Sequence, residues 1–193
     1  VSGVRFSSPP SGKPSIGFIK SLTEGIAQLK HNQPVMGVLA ITIILNFFGF
    51  SYVSMLPVIG AEQLAAGPSL IGLLTSMQGA GALTGLLLLT IYAGPRYYMR
   101  LFVGGTLIVL LTIIVFSTVP WYWVALIVLF GVGLGEAGFA SMQATIMFTA
   151  SAPGVRSRNM GILVVCIGFG PLGILHTGAM AEWLGAETAT AVD

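Results

Sequence analysis

An all-α integral membrane fold is what this sequence predicts, on three observations. Hydrophobic residues make up 55% of the 193 and charged residues only 7%, where soluble domains carry about 25% charged residues. Mean hydropathy is +0.93, so there is too little polar surface to coat a water-soluble domain. The apolar residues fall into five stretches of about twenty or more. That length suits a helix crossing a bilayer and exceeds what a spanning strand requires.

Residues 1–14, VSGVRFSSPPSGKP, read as a flexible linker: they are rich in Ser, Pro and Gly and lack the apolar core of a signal peptide. In 15–32, Ile16, Ile19, Leu22, Ile26 and Leu29 recur at helical spacing, with Lys20, Glu24 and Lys30 elsewhere on the wheel. Two readings fit this segment. It is an amphipathic helix on the membrane surface, with lysines at anionic headgroups, or a helix packed on another part of a longer chain.

The first span is expected over 34–56, with Pro34 at its start and Pro57 just past its end. It carries Asn46, and the loop after it carries Glu62 and no basic residue. The second, over 70–93, holds Gln78 and the pair Gly81 and Gly85, whose spacing lets another helix approach closely. The third, over 99–119, has threonines but no amide, carboxylate or imidazole and is expected to face mostly lipid. After Pro120, the triplet Trp121, Tyr122 and Trp123 suits a membrane interface. The fourth span is expected over 121–149 and the fifth over 160–184, with a short outer tail at 186–193.

All eight basic residues lie in three places: Arg5, Lys13, Lys20 and Lys30 before the first span, Arg96 and Arg100 after the second, Arg156 and Arg158 after the fourth. A five-span threading puts these segments on one side. The positive-inside tendency then predicts a cell-membrane protein with a cytoplasmic N-terminus and the C-terminus of this chain outside.

Glu136 is the main functional candidate. It lies ~22 Å along its helix from Trp121, near mid-membrane, where an ionisable group is expensive. It is read either as a proton-exchanging or cation-binding group, or as a hydrogen-bonded link between helices beside Gly135 and Gly138. Gln143, seven residues on, shares its helix face. With Asn46 and Gln78 it is read as a polar contact for a ligand or as another interhelical bond. Arg96, Arg100, Arg156 and Arg158 set topology or form an inner gate. The glycines, and Gly170 with Pro171, are read as packing devices.

Several classes are excluded. Cys166 is alone, and His31 and His176 are the only histidines, so no metal site, disulfide framework or cofactor is expected. No convergent nucleophile, base or metal set suggests an enzyme. No basic stripe with interleaved aromatics suggests nucleic acid.

The string GEAGFASMQATIMFTASAPGVRSRNMGIL and the stretch LKHNQPVMGVLAITIILNFFGFSYVSMLPVIG resemble the C-terminal half of major facilitator superfamily transporters, in the branch of the enterobactin exporter and the transmembrane secretion effectors. The resemblance covers roughly 25–185. It implies that the five spans are similar to helices seven to eleven of a twelve-helix fold, with 33–185 a partial C-terminal half and 15–32 within the segment joining the halves. Spans one and four would then line a central cavity and span three would sit outside. Gly94, Arg96 and Arg100 match a C-half copy of the family's inner-loop motif, without its acidic member. Gly168, Gly170, Pro171 and Gly173 are similar to the Gly-Pro motif of antiporters.

The resemblance implies a proton-coupled exporter of small amphiphilic compounds, of drug or siderophore type, working by alternating access. Its partners would be the bilayer, a small-molecule substrate, protons and an N-terminal transporter half. An odd number of spans, preceded by a linker, makes the chain read as a piece of a larger protein. The alternative class is a non-transporting membrane scaffold or accessory subunit.

Overall fold

The computed structural model describes residues 23, 25–27, 29–30 and 32–184, with side chains through 179. These residues are 84% helical and contain no strand. The helices are α1 (Gln33–Ile44), α2 (Tyr52–Glu62), α3 (Pro68–Tyr92), α4 (Tyr98–Thr118), α5 (Tyr122–Ala150), α6 (Arg156–Ile167) and α7 (Gly170–Leu184), with a π-helical turn, Leu45–Gly49, between the first two. They make five helices long and apolar enough to cross a membrane: Gln33–Glu62, Pro68–Tyr92, Tyr98–Thr118, Tyr122–Ala150 and Arg156–Ala179. The linker 1–14 and the tail 186–193 lie outside the described residues, as does most of 15–32. Of that segment Leu29 is buried, and Gly25 lies against the Ile162 and Arg158 side chains.

The second, third and fourth spans start and stop within a residue or two of expectation. The first and fifth differ. Pro57 does not follow the first span but sits inside α2. The chain bends earlier, at the π turn, where the Phe50 N–H reaches back to the Leu45 carbonyl at 2.9 Å. Side chains occupy carbonyls around this break. Ser51 Oγ donates to Phe48 O and Ser54 Oγ to Ser51 O, each at 2.7 Å. Such bonds let an irregular turn persist at membrane depth. The fifth span begins at Arg156 rather than 160 and is interrupted between α6 and α7 at Gly168.

Helix α5 is the central post. Lipid tails are as apolar as leucine, so association rests on close packing rather than on the hydrophobic effect, and glycines supply the closeness. A Cβ built on Gly81 would collide with the Phe130 carbonyl, and one on Gly133 with the Gln78 carbonyl. A Cβ on Gly85 would lie 2.6 Å from the Ala137 methyl. These contacts seat α3 on α5. On another side Gly105 of α4 meets Gly135 and Gly138, each built Cβ within 3.2 Å of the opposing backbone. Phe102 and Phe139 stack beside them, ring centres 5.5 Å apart.

The third span is expected to face mostly lipid, and among the described residues more than half of its apolar window is unburied. Within the described residues, 39% of the apolar window of α4 is buried, against 17% for α3. Its glycines nevertheless seat one face of α4 on α5, so it is more buried than α3.

Candidate functional site

Glu136 lies 14 residues from each end of α5, Tyr122 and Ala150, so it sits at the middle of its span. It is half-buried, and its Oε1 accepts a 2.8 Å hydrogen bond from Gln78 Nε2 of α3. The pair meets because Gly81 and Gly133 draw these two helices into backbone contact within a turn of it. Tyr52, at the start of α2, completes the junction. It is 1% exposed, its hydroxyl interacts with Glu136 and Gln78, and that oxygen makes no hydrogen bond among the described residues. The second and fourth spans thus meet at one carboxylate through an amide donor, with the buried Tyr52 hydroxyl of the first span close by.

Gln143 and Asn46 do not join this cluster; they form a second one. Gln143 Oε1 accepts from Thr42 Oγ1 at 2.8 Å, fully inside the protein. Asn46 Nδ2 donates to the Thr42 carbonyl, also at 2.8 Å. Thr42 therefore bridges the two residues that the sequence singled out. This second junction adjoins both helix breaks. A Cβ on Gly173 would strike the Phe47 carbonyl, and one on Gly170 would lie 3.7 Å from the Asn46 carbonyl. Pro171 is exposed at the start of α7. His176 packs its ring 5.4 Å from Phe47 and 6.0 Å from Phe48.

Of the four arginines, Arg96 lies in the loop after α3, and Arg100, Arg156 and Arg158 lie in the first turns of α4 and α6, at the ends that the threading puts on one side. Arg96 and Arg100 are exposed. Arg156 stacks its guanidinium 4.1 Å from the centre of the Phe148 ring, and Arg158 lies against the backbone at Gly25.

Sequence reasoning missed Tyr52 and Thr42 as members of these clusters. A threonine four residues before an asparagine on an apolar helix is a weak cue to a polar node. Nothing in the sequence ties Tyr52 to Glu136, since the bend at the π turn decides where the tyrosine points. Chemically, the first junction can hold a proton or a cationic group at the carboxylate. The second links the first span to α5 through the buried Thr42–Gln143 bond. No protein family matches the chain, and neither a curated protein nor a solved structure matches it.

Proposed function

We propose that the chain is part of a secondary active transporter of the major facilitator type, its five spans acting as helices seven to eleven of a twelve-helix fold. In this reading it is a proton-coupled exporter of small amphiphilic compounds that works by alternating access with an N-terminal half, on the same or a separate chain. The observation that carries the reading is the mid-membrane carboxylate Glu136, held by Gln78 with the buried Tyr52 hydroxyl close by.

That geometry supports the coupling. The Gln78 N–H stabilises a charged carboxylate at a depth where charge is otherwise expensive. Separating α3 from α5 removes the donor and favours a protonated Glu136. Proton loading and helix arrangement are then linked in one equilibrium. Two further features support the reading. The discontinuous first and fifth spans meet near Asn46, and transporters of this kind build substrate and ion sites from broken helices near the midplane. The α3 face formed by Gly72, Thr75, Ser76 and Gly79 is exposed next to Gln78, a small, polar surface suited to a cavity or to the other half.

The test is Glu136→Gln in the native polypeptide, reconstituted in vesicles with an internal pH dye. Substrate-driven proton movement should disappear while substrate still binds. Unchanged pH-dependent transport by the variant would end the coupling proposal.

A further inference from the structure

A cleft of about 260 Å³ opens between α3 and α4, with α5 as its floor. Its walls include Gly85, Leu88, Leu89, Gly104 and Ile108, and Arg100 stands at its end. Two shallower depressions adjoin it, one lined by Val103 and Leu107, the other by Tyr92 and Tyr97, and Arg100 borders both. One cationic side chain therefore stands where three apolar hollows join. Arg100 lies in the first turn of α4, which places it at headgroup level. Ile108, eight residues on, is ~12 Å deeper into the hydrocarbon. The cleft exists because glycine replaces side chains along its length. A Cβ on Gly104 would meet nothing within 4 Å.

We propose that this cleft binds one anionic phospholipid of the surrounding leaflet, its phosphate at Arg100 and an acyl chain along the glycine-lined floor. Charge complementarity selects the occupant. The connecting segment from Ala93 to Arg100 carries two arginines and no acidic residue. Basic residues at this depth attract anionic headgroups, and a guanidinium pairs with phosphate in a bidentate manner. Tyr92 and Tyr97 are exposed at the same level and present hydroxyls on apolar rings, as residues at a membrane interface do. The occupant must also be amphiphilic, because the walls below Arg100 are apolar and the cleft lies open to the bilayer at Leu88, Tyr92 and Ile108. A small soluble anion would satisfy Arg100 but leave those walls uncovered. This inference stands apart from the transport reading and does not use Glu136.

The test titrates the purified full chain in detergent with dioleoyl phosphatidylglycerol or dioleoyl phosphatidylcholine, read by native mass spectrometry. One phosphatidylglycerol should bind about tenfold more tightly than phosphatidylcholine. Arg100→Gln should remove that preference. Arg96→Gln, an exposed neighbour that does not line the cleft, should leave it within about twofold. Gly104→Leu puts a side chain into open space and should weaken both lipids while circular dichroism and the melting temperature hold. Equal binding of the two lipids overturns the proposal. So does an Arg96→Gln loss as large as that of Arg100→Gln, or a folded Gly104→Leu protein that binds phosphatidylglycerol unchanged.

Discussion

Two glycines one position apart from neighbouring Ala80, in the same helix, should respond to the same substitution with opposite sign. Gly79→Ala and Gly81→Ala each add one methyl to α3, and each gains roughly 0.8–1.0 kcal/mol of helix propensity. At Gly79 the new methyl meets nothing within 4 Å, so the gain stands. At Gly81 the methyl lands on the Phe130 carbonyl, with the Phe130 Cα only 3.1 Å away. These are backbone atoms of a packed helix and cannot rotate aside, so α3 must move off α5. Overpacking of this kind costs about 1–3 kcal/mol. The movement also stretches the 2.8 Å Gln78–Glu136 bond one turn away, worth about 0.6 kcal/mol in a membrane bundle. Propensity cancels between the variants, which leaves Gly81→Ala less stable than Gly79→Ala by about 1.6–3.6 kcal/mol, more than about tenfold in the equilibrium constant. The assay is sodium dodecyl sulfate titration of the full chain in mixed micelles, followed by tryptophan fluorescence. If the two variants unfold within about 0.5 kcal/mol of each other, the close-packed α3–α5 contact described above is wrong.

Three further outcomes are expected. A double-mutant cycle of Thr42→Val and Gln143→Leu should give a coupling of about 0.6 kcal/mol and no more than about 1.7, measured by the same titration; zero coupling would mean that the buried 2.8 Å bond does not form. Ala65 adopts a left-handed conformation, φ 48°, which costs a residue with a Cβ about 1 kcal/mol, so Ala65→Gly should raise the unfolding midpoint; a lowered midpoint counts against that turn. Asn159 Nδ2 donates to Ser151 Oγ at 2.9 Å in the buried corner between α5 and α6. Asn159→Ala should destabilise by about 1 kcal/mol and speed proteolysis in the 151–156 loop; protection equal to wild type would show the corner to be held by packing alone.

Much of the scaffold was legible because it follows from composition and from the ends of apolar runs. Spans two to four have clean boundaries: Pro68 begins one, and Trp121 and Tyr122 open another at an interface. The errors cluster where local rules met tertiary override. Pro57 reads as a stop signal, yet the helix runs through it to Glu62, and the chain bends upstream at the π turn instead. The lack of polar residues in 99–119 suggests a mostly lipid-facing helix, but does not reveal that Gly105 seats its other face on α5. The site was half legible. Glu136 and Gln78 stand out as polar residues in apolar runs, and so do Gln143 and Asn46. Which pairs with which was not, because the pairs come from helices 58 and 101 residues apart in sequence.

The sequence by itself determined that this is a helical protein with five spans long and apolar enough to cross a membrane, with a carboxylate at the centre of the fourth. Those properties depend on residue type and on run length against a fixed bilayer thickness. Only the tertiary structure decided the company that each polar group keeps. It set Glu136 with Gln78 and Tyr52, Gln143 with Thr42, and Arg100 at the end of an apolar cleft. The physical reason is that contacts between membrane helices depend on backbone approach. A missing Cβ at Gly81, Gly133 or Gly105 chooses the neighbour, and the break at residues 45–49 chooses the direction in which the next side chains point.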